Sequence, residues 1–261
     1  MRMTWSDWSR YIQKLRAINA AAGREMTRFM MAHPDADVSE VIEYAYALAT
    51  KYGEGAAALS CEMYDTLAEA QGVHVPTAEP AATASYGETA KAVKGTMKNL
   101  RNSVPDTVSR LVKQAGADTM LKNALRDGAE FAWVPHGDTC PFCLMLGSRG
   151  WQRASKKAIK HGHAEHIHAH CDCEYAVRFD GKSTIRGYDP DKLLEQYEDA
   201  DGYRWQDKVN SLRREQYKVD KDEINEQKRI AYRERSVKNA VALEEKWQAE
   251  DLTAAIARKG E

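Results

Sequence analysis

Apolar residues recur every three or four positions over most of residues 1–71, which is the spacing of one helical face. Turn formers around Pro34 divide this pattern into two stripes, and Gly53 and Gly55 interrupt the second stripe. The pattern predicts two helices whose apolar faces pack in a core. The first stripe is Trp8, Ile12, Leu15, Ile18, Ala22, Met26 and Phe29, and the second is Val38, Val41, Ala45, Leu48 and Tyr52.

The pattern changes after residue 71. Residues 72–86 hold two prolines and small polar side chains, which predict a linker or an extended arm. Helical spacing returns over residues 88–130, with a new start at Pro105. The stretches FAWVPHGDTCPFC (131–143) and EYAVRFDG (174–181) then predict two short strands, each leading into a turn.

The last third of the chain is rich in charge. Asp189 before Pro190 predicts a helix start, and beyond it charges of both signs are interspersed with widely spaced apolar residues. This composition predicts long exposed helices that need a partner surface, and the alternative is an inert solvated tail. The predicted fold is mainly α, with a helical N-terminal region at 1–71, a linker at 72–86, a small α+β module at 87–183 and a charged helical tail at 184–261.

Composition narrows the class of protein. The 261 residues have a formal net charge of −1, which argues against a polycation that binds nucleic acid along its whole length but allows local basic patches. No apolar run is long enough to span a bilayer, and the first ten residues lack the apolar segment of a signal peptide. We therefore expect a protein that is made and assembled in the cytosol, without a membrane partner.

Cysteine and histidine residues mark the candidate chemistry. Four of the five cysteines form two close pairs, a spacing that favours metal binding over disulfides in a cytosolic chain. Cys140 and Cys143 can turn both sulfurs toward one tetrahedral Zn²⁺ ion. The remaining ligands are expected among His168, Cys171 and Cys173, and His170 is a further candidate. A structural zinc ion is therefore predicted to stabilise the small α+β module, with its ligands in two short cysteine-containing turns, or zinc knuckles, within residues 140–173.

Two other functions fit parts of this region. His163-Ala164-Glu165 matches half of a zinc deaminase motif, but that motif places its C-x-x-C downstream and here it lies upstream. A metal-dependent nuclease would use the basic residues at 149–160 to contact phosphate. A zinc-ribbon DNA-binding protein is a further alternative, which the near-neutral net charge disfavours. A closed site with four protein ligands leaves no coordination position for water, so the sequence favours a protein that is not an enzyme.

The two cysteine motifs resemble those of a known family. The stretches DTCPFCLMLGSRG and HIHAHCDCEYAV are similar to the Mu F-like head-morphogenesis family of tailed-bacteriophage minor head proteins. That family joins Asp-Thr-Cys-x-x-Cys to a closing His-x-x-Cys-x-Cys. The matching positions here are Asp138, Thr139, Cys140, Cys143, His168, Cys171 and Cys173, whereas Ala169 and Asp172 depart from the common form.

The resemblance implies a location and partners. It implies a minor capsid protein present in few copies, which associates with the portal and capsid proteins during head assembly. The protein would lie in the capsid interior or at the portal vertex of the virion, and in the host cytoplasm during assembly. Packaged DNA is a candidate partner. No enzymatic activity follows from the resemblance.

Overall fold

The structure, a computed structural model, describes residues 5–136, 139–157 and 173–257. The chain divides into two units, Met1–Val209 and Asn210–Glu261. The helices are α1 (Trp5–Ala32), α2 (Val38–Ala70), α3 (Tyr86–Leu100), α4 (Val104–Asp127), α5 (Pro141–Gly147), α6 (Pro190–Glu198) and α7 (Trp205–Ala257). The strands are β1 (Glu130–Val134), β2 (Gln152–Arg153) and β3 (Glu174–Arg178), and a 3-10 turn at Arg101–Ser103 joins α3 to α4. The prediction of a mainly α fold with a small sheet is confirmed.

The two predicted N-terminal helices form, and α2 begins at a capping box. The Asp37 carboxylate accepts hydrogen bonds from the backbone N–H groups of Ser39 and Glu40, at 2.7 and 3.0 Å. In return, the Glu40 carboxylate accepts from the Asp37 N–H at 2.8 Å. These contacts satisfy donors that have no partner inside the helix, and they fix the start of α2.

Helix α2 continues through Gly53 and Gly55, which interrupt only its apolar stripe. Gly53 is buried, and a Cβ atom added there would lie 2.8 Å from Cγ2 of Thr83. The absence of a side chain therefore allows the segment before α3 to approach α2 closely. This glycine serves packing and does not end the helix.

The extended segment between α2 and α3 is fastened to helices by side chains. The amide of Asn123 on α4 accepts from the backbone N–H of Glu79 at 3.0 Å and donates to the carbonyl of the same residue at 2.9 Å. Thr119 Oγ1 accepts from the N–H of Ala81 at 3.0 Å, and Asp65 on α2 accepts from the N–H of Ala78 at 2.9 Å. An extended backbone without strand partners is thereby hydrogen-bonded in a partly buried position.

Helix α4 is the central element of the first unit. It contacts α1, α2, α3, β1 and β3. It therefore buries residues on several sides rather than along one stripe. Within the described residues, no helix is both long enough and apolar enough to cross a membrane.

The strands form an antiparallel sheet in the order β2-β1-β3. The pairing of β1 with β3 runs from Glu130 opposite Arg178 to Val134 opposite Glu174. Both β1 and β3 were predicted, and they carry buried aromatic rings, with the rings of Trp133 and Tyr175 meeting edge to face at 4.4 Å between centroids. Strand β2 was not predicted, because two residues are too short to show an alternating pattern.

One buried ion pair joins the sheet to α4. Lys113 Nζ lies 2.8 Å from Glu174 Oε1, and the two side chains are 8% and 5% exposed. Removing two charges from water is unfavourable, and their attraction offsets this only while both partners are present. The first residue of β3 is therefore held at a defined position on α4.

We predict that Lys113→Met lowers the free energy of unfolding by about 3–5 kcal/mol, because it leaves the Glu174 carboxylate buried without its counter-charge. The double variant Lys113→Met/Glu174→Met should recover much of the loss. The control is Lys122→Met, which removes a lysine from an exposed pair with Glu79. This variant should change the free energy of unfolding by less than about 1 kcal/mol. Urea unfolding followed by tryptophan fluorescence measures all three, and equal losses in Lys113→Met and Lys122→Met would contradict the prediction.

Candidate metal centre

The first cysteine pair lies at the start of α5. Cys140 is the N-cap residue of this helix, and its sulfur accepts the backbone N–H of Cys143 at 3.4 Å. An N–H group directed at sulfur compensates negative charge that a thiolate ligand would carry. Sequence reasoning did not predict α5 as a helix, although Pro141 at its first position is a recognised start signal.

The third described cysteine of the motif, Cys173, comes from the far side of the insert. Cys173 directly precedes β3, whose first residue pairs with Val134 at the end of β1. The chain leaves β1 at that same end to reach Cys140. Antiparallel pairing therefore places Cys173 at the end of the sheet from which the chain runs on to Cys140. Cys143 and Cys173 are 1% and 2% exposed and belong to the same core.

The structure describes three of the five predicted zinc ligands. Cys140, Cys143 and Cys173 are described, whereas His168 and Cys171 lie outside the described residues. His161, His163, Glu165, His166 and His170 also lie outside them. Within ranges 5–136, 139–157 and 173–257, no three His, Cys, Asp or Glu side chains are grouped so that they could hold a metal ion. The zinc site thus stays a prediction, and thiols with imidazoles are a donor set that suits this ion.

His136 is a neighbour of this region that sequence reasoning missed. It follows β1 by two residues, and its ring lies 6.0 Å from that of Trp8 between centroids. Its Nε2 atom is buried without a hydrogen-bond partner in the described part of the chain. Burial, together with the positive charges of Arg16 and Lys113, lowers the pKa of His136 to about 4. The imidazole is therefore neutral at neutral pH.

A buried polar group from α1 lies near β3. The Tyr11 hydroxyl and the Ser60 hydroxyl on α2 are 3.0 Å apart, and both side chains are buried. Burial and the negative charge of Glu174 raise the pKa of Tyr11, so its hydroxyl keeps its proton. The charge of Glu174, the residue after Cys173, therefore acts on the buried Tyr11 hydroxyl of α1.

The family comparison covers this whole region. Residues 2–200, from α1 to α6, match a family model described as VG15 protein, and this is more than half of the 261 residues. These are bacteriophage proteins. The chain belongs to the VG15 protein family. Searches of curated proteins and of solved structures gave no match. A bacteriophage protein was predicted and is confirmed, and α7 lies beyond the matched residues.

We predict that His136 makes the first unit acid-sensitive between about pH 6.5 and about pH 4. Its pKa is lower in the folded chain than the ordinary value of 6.5. The unfolded chain therefore takes up this proton first, and stability falls as pH falls through that window. The loss amounts to at most about 3 kcal/mol.

The test compares the wild type with His136→Gln, which cannot take up this proton. The comparison is needed because Asp118 acts in the opposite direction, since burial raises its pKa to about 6. The wild type should lose more stability than the variant between neutral pH and about pH 4 in urea unfolding experiments. If the wild type and His136→Gln lose the same stability over this pH range, His136 does not titrate as described.

Proposed function

We propose that this chain is a minor head protein of a tailed bacteriophage, which associates with portal and capsid proteins during head assembly. Membership of a bacteriophage family supports the proposal, since the matched residues include both cysteine motifs. The observation that carries it is the β1–β3 pairing, which brings Cys140 and Cys173 to one end of the sheet. Cys140 follows β1 and Cys173 precedes β3, so the pairing of these strands supports a common site for the two halves of the motif. Its location would be the capsid interior or the portal vertex.

The proposed site holds a structural Zn²⁺ ion. Cys140 and Cys143 would supply two thiolates, and the others would come from Cys173, Cys171 and His168, with His170 as a further candidate. Zinc would cross-link α5 to the start of β3 across the insert. Because an unfolded chain offers no preformed site, the free energy of metal binding becomes free energy of folding for this module.

The proposed role is structural and not catalytic. Four protein ligands close the coordination sphere of zinc, so no position remains for a water molecule that could be activated. The residues that a nuclease could use next to the site, His163 and Glu165, are outside the described residues. The protein would therefore contribute shape and contacts to the head.

The zinc site predicts about one zinc ion per chain by elemental analysis. Cys143→Ser should lose the metal and become cleavable by trypsin between residues 144 and 170, while α1 and α2 stay protected. Cys61→Ser is the matched control, because Cys61 lies on α2 and is half-buried. Wild-type protein without zinc, whose thiols all react freely in the native state, would contradict the site.

The head-protein role predicts that the chain is present in few copies in purified virions of the phage that encodes it. A tagged copy should also co-purify with the portal protein of that phage when the two are expressed together. Quantitative mass spectrometry of proheads and virions gives the copy number, and the tag alone is the control. If the chain is absent from proheads and virions and the purified protein cuts plasmid DNA in the presence of magnesium or manganese, the head-protein role is wrong and a nuclease function takes its place.

A further inference from the structure

One face of α7 carries regularly spaced cations. Arg214, Lys221 and Lys228 recur at intervals of seven residues, which is just short of two helical turns, so they lie on the same side. Tyr217 and Tyr232 lie on this side too, since they stand three and four residues from a member of the series. Lys218 lies on this side as well, but Glu215 and Asp222 stand at its own pairing distances. We call Arg214, Tyr217, Lys221, Lys228 and Tyr232 the basic face. All five belong to the unit Asn210–Glu261.

The cations of the basic face have no acidic partner on their own helix. Oppositely charged side chains pair along a helix at spacings of three and four residues. For Arg214, Lys221 and Lys228, none of the residues at those spacings is acidic. These neighbours are Asn210, Ser211, Tyr217, Lys218, Ile224, Asn225, Ala231 and Tyr232. Arg214 Nε donates to the Asn210 carbonyl at 3.2 Å, which leaves its positive charge uncompensated.

Acidic residues occur along the same stretch but point elsewhere. They are Glu215, Asp220, Asp222, Glu223 and Glu226. Asp220 and Asp222 flank Lys221 in sequence, which turns each of them about 100° away around the helix axis. Arg229, which is not part of the basic face, does pair with Glu226 at 3.4 Å. The three cations of the basic face are therefore set apart from the acidic residues of this stretch, whereas the other sides of α7 carry both charges.

The basic face is accessible and includes large aromatic rings. Arg214, Lys221 and Lys228 are exposed, and Tyr217 and Tyr232 are 46% and 72% exposed. A phenol ring offers a flat apolar surface and a hydroxyl group that can donate a hydrogen bond. Cations interleaved with such groups suit a ligand that carries regular negative charges.

We propose that the basic face binds the phosphate backbone of double-stranded DNA. Successive cations are separated by a rise of about 10 Å along the helix axis, so the three span about 20 Å and can each meet a different phosphate. The inference goes beyond the head-protein role and does not depend on the zinc site. It rests on α7 alone, which lies outside the residues matched by the family.

The test measures binding of the full-length chain to a short fluorescent DNA duplex by anisotropy. Three phosphate contacts predict that affinity falls with salt with a log–log slope of about −3. The variant Arg214→Gln/Lys221→Gln/Lys228→Gln should bind at least about tenfold more weakly at about 100 mM salt, with a much shallower slope. Glutamine has a helix propensity close to those of lysine and arginine, and circular dichroism verifies that α7 is kept.

The matched control is Arg213→Gln/Arg229→Gln/Arg233→Gln, which removes the same charge from other sides of α7 and should bind as the wild type does. Absence of duplex binding at about 50 mM salt would overturn the proposal. Equal losses in the two triple variants would also overturn it, since net charge and not the basic face would then govern binding. Binding to polyglutamate as tight as to the duplex would assign the face to an acidic protein partner instead.

Discussion

The first unit depends on the buried ion pair between Lys113 and Glu174. Strands β1 and β3 are far apart in sequence, and closing the loop between them costs conformational entropy. Backbone hydrogen bonds between the strands and the contact of Trp133 with Tyr175 offset this cost. Side chains alternate between the faces of a strand, so a slip of one residue would turn Glu174 away from α4. Two buried charges would then lose their partners, which makes the observed register strongly preferred.

The register in turn decides what lies at the end of the sheet. With Glu174 held on α4, its neighbour Cys173 has one possible place, at the end from which the chain leaves β1. The short helix α5 returns from that end and contacts β1. A charge pair inside the helical core thereby positions cysteines whose own chemistry is unrelated to it.

Sequence reasoning succeeded where one local pattern determined the structure. The stripes of α1 and α2, the short runs of β1 and β3, and the start of α6 at Asp189 and Pro190 are local signals that the structure confirms. It failed where a distant residue decided the outcome. The packing role of Gly53 was missed, because the approach of Thr83 cannot be inferred from the sequence.

The central helix shows the same limit for charged residues. Lys113 looks like an exposed side chain of α4, since its counter-charge comes from a strand far along the chain. Helix α4 buries residues on several sides, so its apolar spacing gave no single face to interpret. His136 gave no signal either, because it is apart from the histidine cluster and lies beside Trp8, which is distant in sequence. For the candidate site, the spacing of the motif was enough to identify the cysteines. Their position at one end of the sheet could be seen only in the structure.

Helix α7 is built on a different physical basis from the first unit. Few of the side chains that the structure describes on α7 are buried, so the helical form of that part depends on local terms such as propensity and charge pairs at short spacing. The pair of Arg229 with Glu226 is a term of this kind, whereas Arg214, Lys221 and Lys228 have no acidic residue at pairing distance. The basic face thus adds little to the stability of the helix. A regular row of cations that the fold does not use is free to meet negative charge on another molecule.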